Sequence, residues 1–141
     1  MHYEVSVDID AAPGEVWNVL TDVERWPEWT SSVTHVRRID PGPLQVGSTV
    51  RIRQPKLPPV VWEVTELEPE RSFSWVAGRG GVTTLAAHRI RPRSGGSGGV
   101  AVTLGIRQTG PLAWLVGLLT SGLTRRYVET EASGLKRRCE G

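Results

Sequence analysis

Residues 32–108 carry only strand and turn signals, in short runs separated by Gly, Pro, Asp and Glu, and then one long helical period takes over. This order constrains the fold more than any other feature of the chain. Period-two runs make half-buried strands, and short turns pair sequential strands antiparallel. Strands are expected over residues 33–39, 48–54, 60–67, 72–77, 82–91 and 100–108. A further strand opens the chain, where Tyr3, Val5, Val7 and Ile9 alternate with polar residues. Between it and the second strand, Pro13 and Glu15 mark a helix start, and Val16, Trp17, Val19 and Leu20 give that helix an apolar stripe. A second short helix is expected from Asp22, limited by Pro27, with Trp26 and Trp29 on one face. The final helix spans residues 112–138, with Leu112, Leu115, Val116, Leu119, Leu123, Tyr127 and Leu135 read as its apolar stripe.

The expected class is α+β: a curled seven-stranded antiparallel sheet around a long C-terminal helix, with two short helices between strands one and two. A length of 141 residues suits one domain, 1–141. At 38% hydrophobic and 23% charged residues, the chain is not a disordered polyampholyte. Its longest apolar run is broken by Gly117 and falls short of the roughly 20 residues a bilayer crossing needs. No integral membrane association and no secretion signal are expected. Cys139 is the single cysteine, so no internal disulfide forms and a cytoplasmic location follows. The net charge is +2, and fifteen of the seventeen basic residues are Arg, scattered among fifteen carboxylates. Nucleic acid would want a one-sided basic stripe, so it is not expected as a partner.

A long helix gripped by a curled sheet encloses more volume than side chains easily fill, so an internal cavity is expected. Strand parity assigns its walls. Val82, Thr84, Ala86, His88 and Ile90 share a face opposite Arg89 and Arg91, which places them inward. By the same test Val100, Val102, Leu104, Ile106 and Gln108 point inward, as do Phe73, Trp75 and Ala77. Val60, Trp62 and Val64, and Val50, Ile52 and Gln54, complete the inner face. Glu66 shares the parity of Trp62, with a bulge beside the turn able to turn it outward. In the second strand both faces mix residue types, so the facing of His35 stays open. Closing the hairpins at residues 78–81, 68–71 and 94–99 sets Trp75 opposite Thr84, Val64 opposite Trp75, and Thr84 opposite Gln108.

His88 is the candidate catalytic residue, because an imidazole titrates near neutral pH and could move a proton at a carbonyl compound. The stronger alternative is a core His satisfied by a backbone carbonyl or by Tyr127 of the long helix, since buried polar groups normally find partners. The candidate ligand-binding set is Trp29, Gln54, Trp62, Phe73, Trp75, Thr84, His88, Gln108, Leu119, Leu123 and Tyr127, with Trp114 also near the wall. Access is expected between the long helix and the loops at 55–59 and 78–81. No HxxxH or CxxC spacing points to a metal, no GxSxG to a nucleophile, and no cofactor is expected. The GRGG at 78–81 lies between strands with no helix following, so it is not a phosphate loop.

The order of elements and several segments resemble the START-like, SRPBCC (helix-grip, Bet v 1-like) superfamily, in particular the polyketide cyclase/dehydrase and lipid transport family. The matching segments are VDIDAAPGEVWNVLTDVERWPEW (7–29), WEVTELEPERSFSW (62–75), AHRIRP (87–92), GPLAWLVG (110–117) and SGLKRRCE (133–140). The resemblance implies a carrier of a small hydrophobic molecule, a lipid, polyketide or isoprenoid-type ligand, as a monomer or homodimer. An alternative it implies is a polyketide cyclase or dehydratase using His88 as acid–base. A protein-interaction module with its cavity plugged by Trp side chains is the third reading.

Overall fold

A computed structural model describes residues 1–93 and 98–141. Most of the hairpin tip expected over 94–99 lies outside the described residues, at 94–97. The described residues form β1 (His2–Ile9), α1 (Pro13–Thr21), a 3-10 helix (Val23–Glu28), β2 (His35–Arg38), β3 (Thr49–Arg53), β4 (Val60–Glu68), β5 (Ser72–Arg79), β6 (Val82–Pro92), β7 (Val100–Thr109) and α2 (Ala113–Glu140). The strands make one antiparallel sheet in the order β1-β7-β6-β5-β4-β3-β2. It is the expected helix-grip arrangement, with the sheet curled around α2.

Only β1 breaks the meander, pairing with β7 from Ile9↔Val100 to His2↔Arg107. The chain must then travel from the β1 edge to the β2 edge, and α1 and the 3-10 helix carry it there. Pro13 occupies the start of α1 and Glu15 lies in its first turn, where a missing N–H costs nothing and a carboxylate meets the helix dipole favourably. The second helix departs from expectation in kind: it is a 3-10 helix with Pro27 inside it, and Asp22 makes no side-chain cap. Instead Asp22 pairs with Arg25 at 3.4 Å. Trp26 is buried and donates its indole N–H to the Leu20 carbonyl at 3.0 Å. Val16, Leu20, Val23 and Trp26 meet Val50, Val64, Phe73 and Leu135 in the core.

The inward faces assigned by parity for β3 to β7 match the burial: Val50, Ile52, Trp62, Val64, Phe73, Trp75, Ala86, His88, Ile90, Val102 and Leu104 are all buried. In β2 the inner residue is Val36, and His35 is exposed. One register needs correction. The β5–β6 turn contains only Gly80 and Gly81, both at positive φ, so Arg79 pairs Val82 and Trp75 lies opposite Ala86 rather than Thr84. Two glycines with positive φ build the tight hairpin whose twist matches that of the strands. A two-residue displacement keeps every side chain on its face, so the inner wall is unchanged while its rows are re-paired. Val64↔Trp75 and Thr84↔Gln108 are as expected. A bulge falls between Val64 and Glu66; it turns Glu66 outward, where it accepts from the Ser72 hydroxyl at 3.0 Å.

The stripe assigned to α2 also needs correction. Leu112, Leu115 and Leu119 are exposed, as are Trp114 and Leu118. The residues that α2 buries are instead Ala113, Gly117, Val128, Ala132, Gly134 and Leu135, with Gly134 packed on the Trp29 backbone. Steps of four residues overshoot a full turn by about 40° each, so a string of leucines four apart winds round the helix rather than following one face.

Candidate functional site

Between α2 and the concave sheet lies a cavity of about 380 Å³. Its floor is aromatic: Trp26 from the 3-10 helix, Trp62 from β4 and Trp75 from β5, with ring centroids 5.4 Å apart for Trp26–Trp75 and 5.9 Å for Trp62–Trp75. Ala77, Ala86, Leu104 and Ile106 continue the sheet wall, and these small and branched side chains leave the space open. The helix wall is Val116, Thr120, Thr124, Tyr127, Val128 and Glu131. Leu57 and Pro58 stand at the rim, beside the loop that follows β3. The indoles therefore line the hollow without filling it, contrary to the plugged arrangement expected of an interaction module.

His88 is 4% exposed and forms the polar end of this cavity. Its ring stacks on Phe73, centroids 4.1 Å apart and planes at 10°. Nδ1 lies 3.1 Å from the Phe73 carbonyl, which can only accept, so Nδ1 carries the proton. Nε2 faces Glu131 Oε2 at 3.6 Å, and the Glu131 side chain is itself 15% exposed. An imidazole and a carboxylate thus share the inner wall. The Tyr127 hydroxyl, the alternative partner for His88, instead donates to the Pro55 carbonyl and ties α2 to the rim loop. Thr84 sits four residues along β6 from His88, roughly 13 Å away at strand rise, and pairs with Gln108 across the ladder. Gln108 Oε1 is buried and has no hydrogen-bond partner among the described residues.

Of the candidate ligand-binding residues, Gln54, Trp62, Trp75, Thr84, His88, Gln108 and Tyr127 lie on the cavity wall. The other four do not. Phe73 is wholly buried beneath the His88 ring, and Trp29 packs against Trp26 and Gly134 behind the wall. Leu119 is 74% exposed on the outer face of α2, and Leu123 lies outside the lining with it. Trp114, 68% exposed, is likewise away from the wall. Sequence reasoning missed Trp26, Thr120, Thr124 and Glu131. Spacing back from Leu135 could have found the last three: residues 120, 124, 128, 131 and 135 follow a single helix face.

Chemistry beyond this pair is sparse. Burial pushes the Cys139 thiol up to about 11, with Glu15 and Glu140 adding to the shift, so it is no nucleophile at neutral pH. Among the described residues no group of three His, Cys, Asp or Glu side chains gathers to hold a metal ion, and no helix is long and apolar enough to cross a membrane.

Solved structures share this architecture at low sequence identity. A hypothetical protein of Helicobacter pylori superposes with a TM-score of 0.80 at 15% identity, covering 98% of this chain and 86% of that one. The Zhui aromatase/cyclase of Streptomyces sp. R1128 gives 0.78 at 16% identity, covering 99% and 93%. A START superfamily protein of Mycobacterium smegmatis gives 0.76 at 14% identity, covering 99% and 97%. These likenesses establish the START-like fold. Among curated proteins none matches this sequence. The family described as polyketide cyclase / dehydrase and lipid transport matches residues 1–140, and the chain belongs to that family.

Proposed function

We propose that the chain works as one START-like unit in the cytoplasm, binding a small and largely apolar molecule between the sheet and α2. The observation that carries this reading is the cavity itself, a hollow of about 380 Å³ whose wall is largely aromatic and aliphatic with a few polar side chains set into it. Burial of apolar ligand surface supplies the driving force, at about 25 cal/mol per Å². A few directional groups then fix orientation. The His88–Glu131 pair meets one polar group of the ligand, and Thr84 and Gln108 meet another. Gln108 Oε1, buried without a partner, favours a ligand that brings a hydroxyl or N–H donor to it.

Binding without turnover is favoured because both ring nitrogens of His88 already face protein partners. The Tyr127 hydroxyl is committed to Pro55, so it does not polarise a substrate carbonyl. One observation supports a second reading, a cyclase or dehydratase: the imidazole–carboxylate pair opens onto the cavity, where a proton could pass between His88 and a poly-β-ketone.

The test is native mass spectrometry of the protein from its own host, alongside fluorescence titration with anilinonaphthalene sulfonate. Ala86→Phe places a ring in the hollow opposite Trp75. It is expected to remove the co-purifying mass and weaken probe binding by more than about tenfold, the worth of roughly 1.4 kcal/mol. Unchanged probe binding in that variant would defeat the cavity reading. Turnover of a poly-β-ketone that His88→Ala abolishes would instead establish the enzyme.

A further inference from the structure

We infer that the mouth end of the molecule is a docking face for an anionic lipid surface. The inference gains its purpose from the cavity reading, since it places the mouth against a source of apolar ligand, but the docking rests on separate residues. The first half of α2 turns Leu118 and Leu119 to solvent, each 74% exposed, with Trp114 at 68%, Leu112 at 44% and Leu115 at 37%. The large exposed aliphatics elsewhere, Ile39, Val46 and Val61, lie on the β2–β4 side of the molecule. Contiguous apolar patches on a soluble protein mark interaction sites. This one borders the cavity: the Leu112 N–H donates to the Gly81 carbonyl at 3.2 Å, while Val116 and Thr120 of the same turns line the cavity.

Charge identifies the occupant. Residues 53–60 and 107–126, which form the rim loop, the end of β7 and the first half of α2, contain no carboxylate. Of their cations, Lys56 in the rim loop and Arg125 and Arg126 on α2 are exposed on this side, while Arg53 and Arg107 project from the convex face of the sheet, Arg107 beside Glu4. Arg126 follows Leu115, Leu119 and Gly122 on one helix stripe, and Arg125 follows Leu118 and Gly122. Arg125 also packs over the Tyr3 ring at 5.3 Å, which holds it at this edge. The opposite end of the sheet mixes signs, with Asp8, Asp10, Glu68 and Glu70 among Arg71 and Arg91. A helix face of Leu and Trp backed by cations is the pattern of a segment that lies in a bilayer interface, apolar side chains among the acyl chains and arginines at the phosphates. A second copy of the same face would set cation against cation, and nucleic acid has no use for five exposed apolar side chains.

The experiment is flotation of the full chain with vesicles of phosphatidylcholine alone and of phosphatidylcholine mixed with phosphatidylglycerol. The wild type is expected to float with the mixed vesicles and to release as salt rises. Leu118→Glu with Leu119→Glu should cut partitioning by more than about tenfold, and Lys56→Gln with Arg126→Gln by about fivefold per cation, on mixed vesicles only. Both variants should keep the anilinonaphthalene sulfonate titration of the wild type, since none of the four residues lines the cavity. That titration separates a failure of docking from a failure of the cavity reading. Absence of wild-type flotation, or flotation indifferent to the glutamates, would overturn the inference. So would a concentration-dependent dimer that the glutamates dissolve.

Discussion

The two halves of α2 lie against the same sheet and do opposite work. From Val128 onward the helix is anchored: Val128, Ala132 and Leu135 are buried, and Gly134 lies so close to the Trp29 backbone that any Cβ there would overlap its carbonyl. Before Val128 the helix touches the sheet edge at Gly117, beside Met1 and Gln108, and otherwise faces the sheet with Val116, Thr120 and Thr124 across the cavity while its leucines turn outward. The second half therefore sets the rotational phase of the whole rod, and the first half inherits it. A rigid helix has one phase, so the leucines face wherever the packed glycine sends them.

The sharpest way to break this comparison is Gly134→Leu. A side chain there must displace the Trp29 backbone, and a cost of about 3 kcal/mol or more is expected in urea unfolding. Near-native stability would mean that the phase is set elsewhere. Next in size is His88→Ala, which leaves Glu131 and the Phe73 carbonyl without their partner. About 2 kcal/mol should be lost, and His88→Ala with Glu131→Ala should recover part of it. A double variant no better than the single one would mean that Glu131 is indifferent to His88. The smallest effect is expected at Leu118→Ser, which should stay within about 0.5 kcal/mol of wild type because the side chain packs on nothing. A loss of 2 kcal/mol or so there, the size of a core truncation, would mean that the outer face is covered in solution.

Much of the fold was legible because two periods, one of two residues and one of 3.6, occupy separate runs, with strands alone from His35 to Thr109 and helix from Ala113 onward. Parity also told which side of each long strand faces inward, and it survived the wrong hairpin closure at residues 78–81 because the error was even. The site was legible only in part. His88, Trp62 and Trp75 declared themselves by parity, but Glu131 and Trp26 did not. Their positions depend on where two helices come to rest against the sheet, and for Glu131 the one sequence signal was its spacing back from Leu135 on α2.

The amino-acid order by itself determined the element sequence, the inner faces of β3 to β7 and the apolar character of the hollow, since each follows from local sterics and the burial of alternate side chains. Tertiary structure alone decided two things: the phase of α2 and the meeting of His88 with Glu131. Each brings together residues far apart in the chain, and only close packing, as between Gly134 and Trp29, chooses among the rotations and registers that local preferences leave equal.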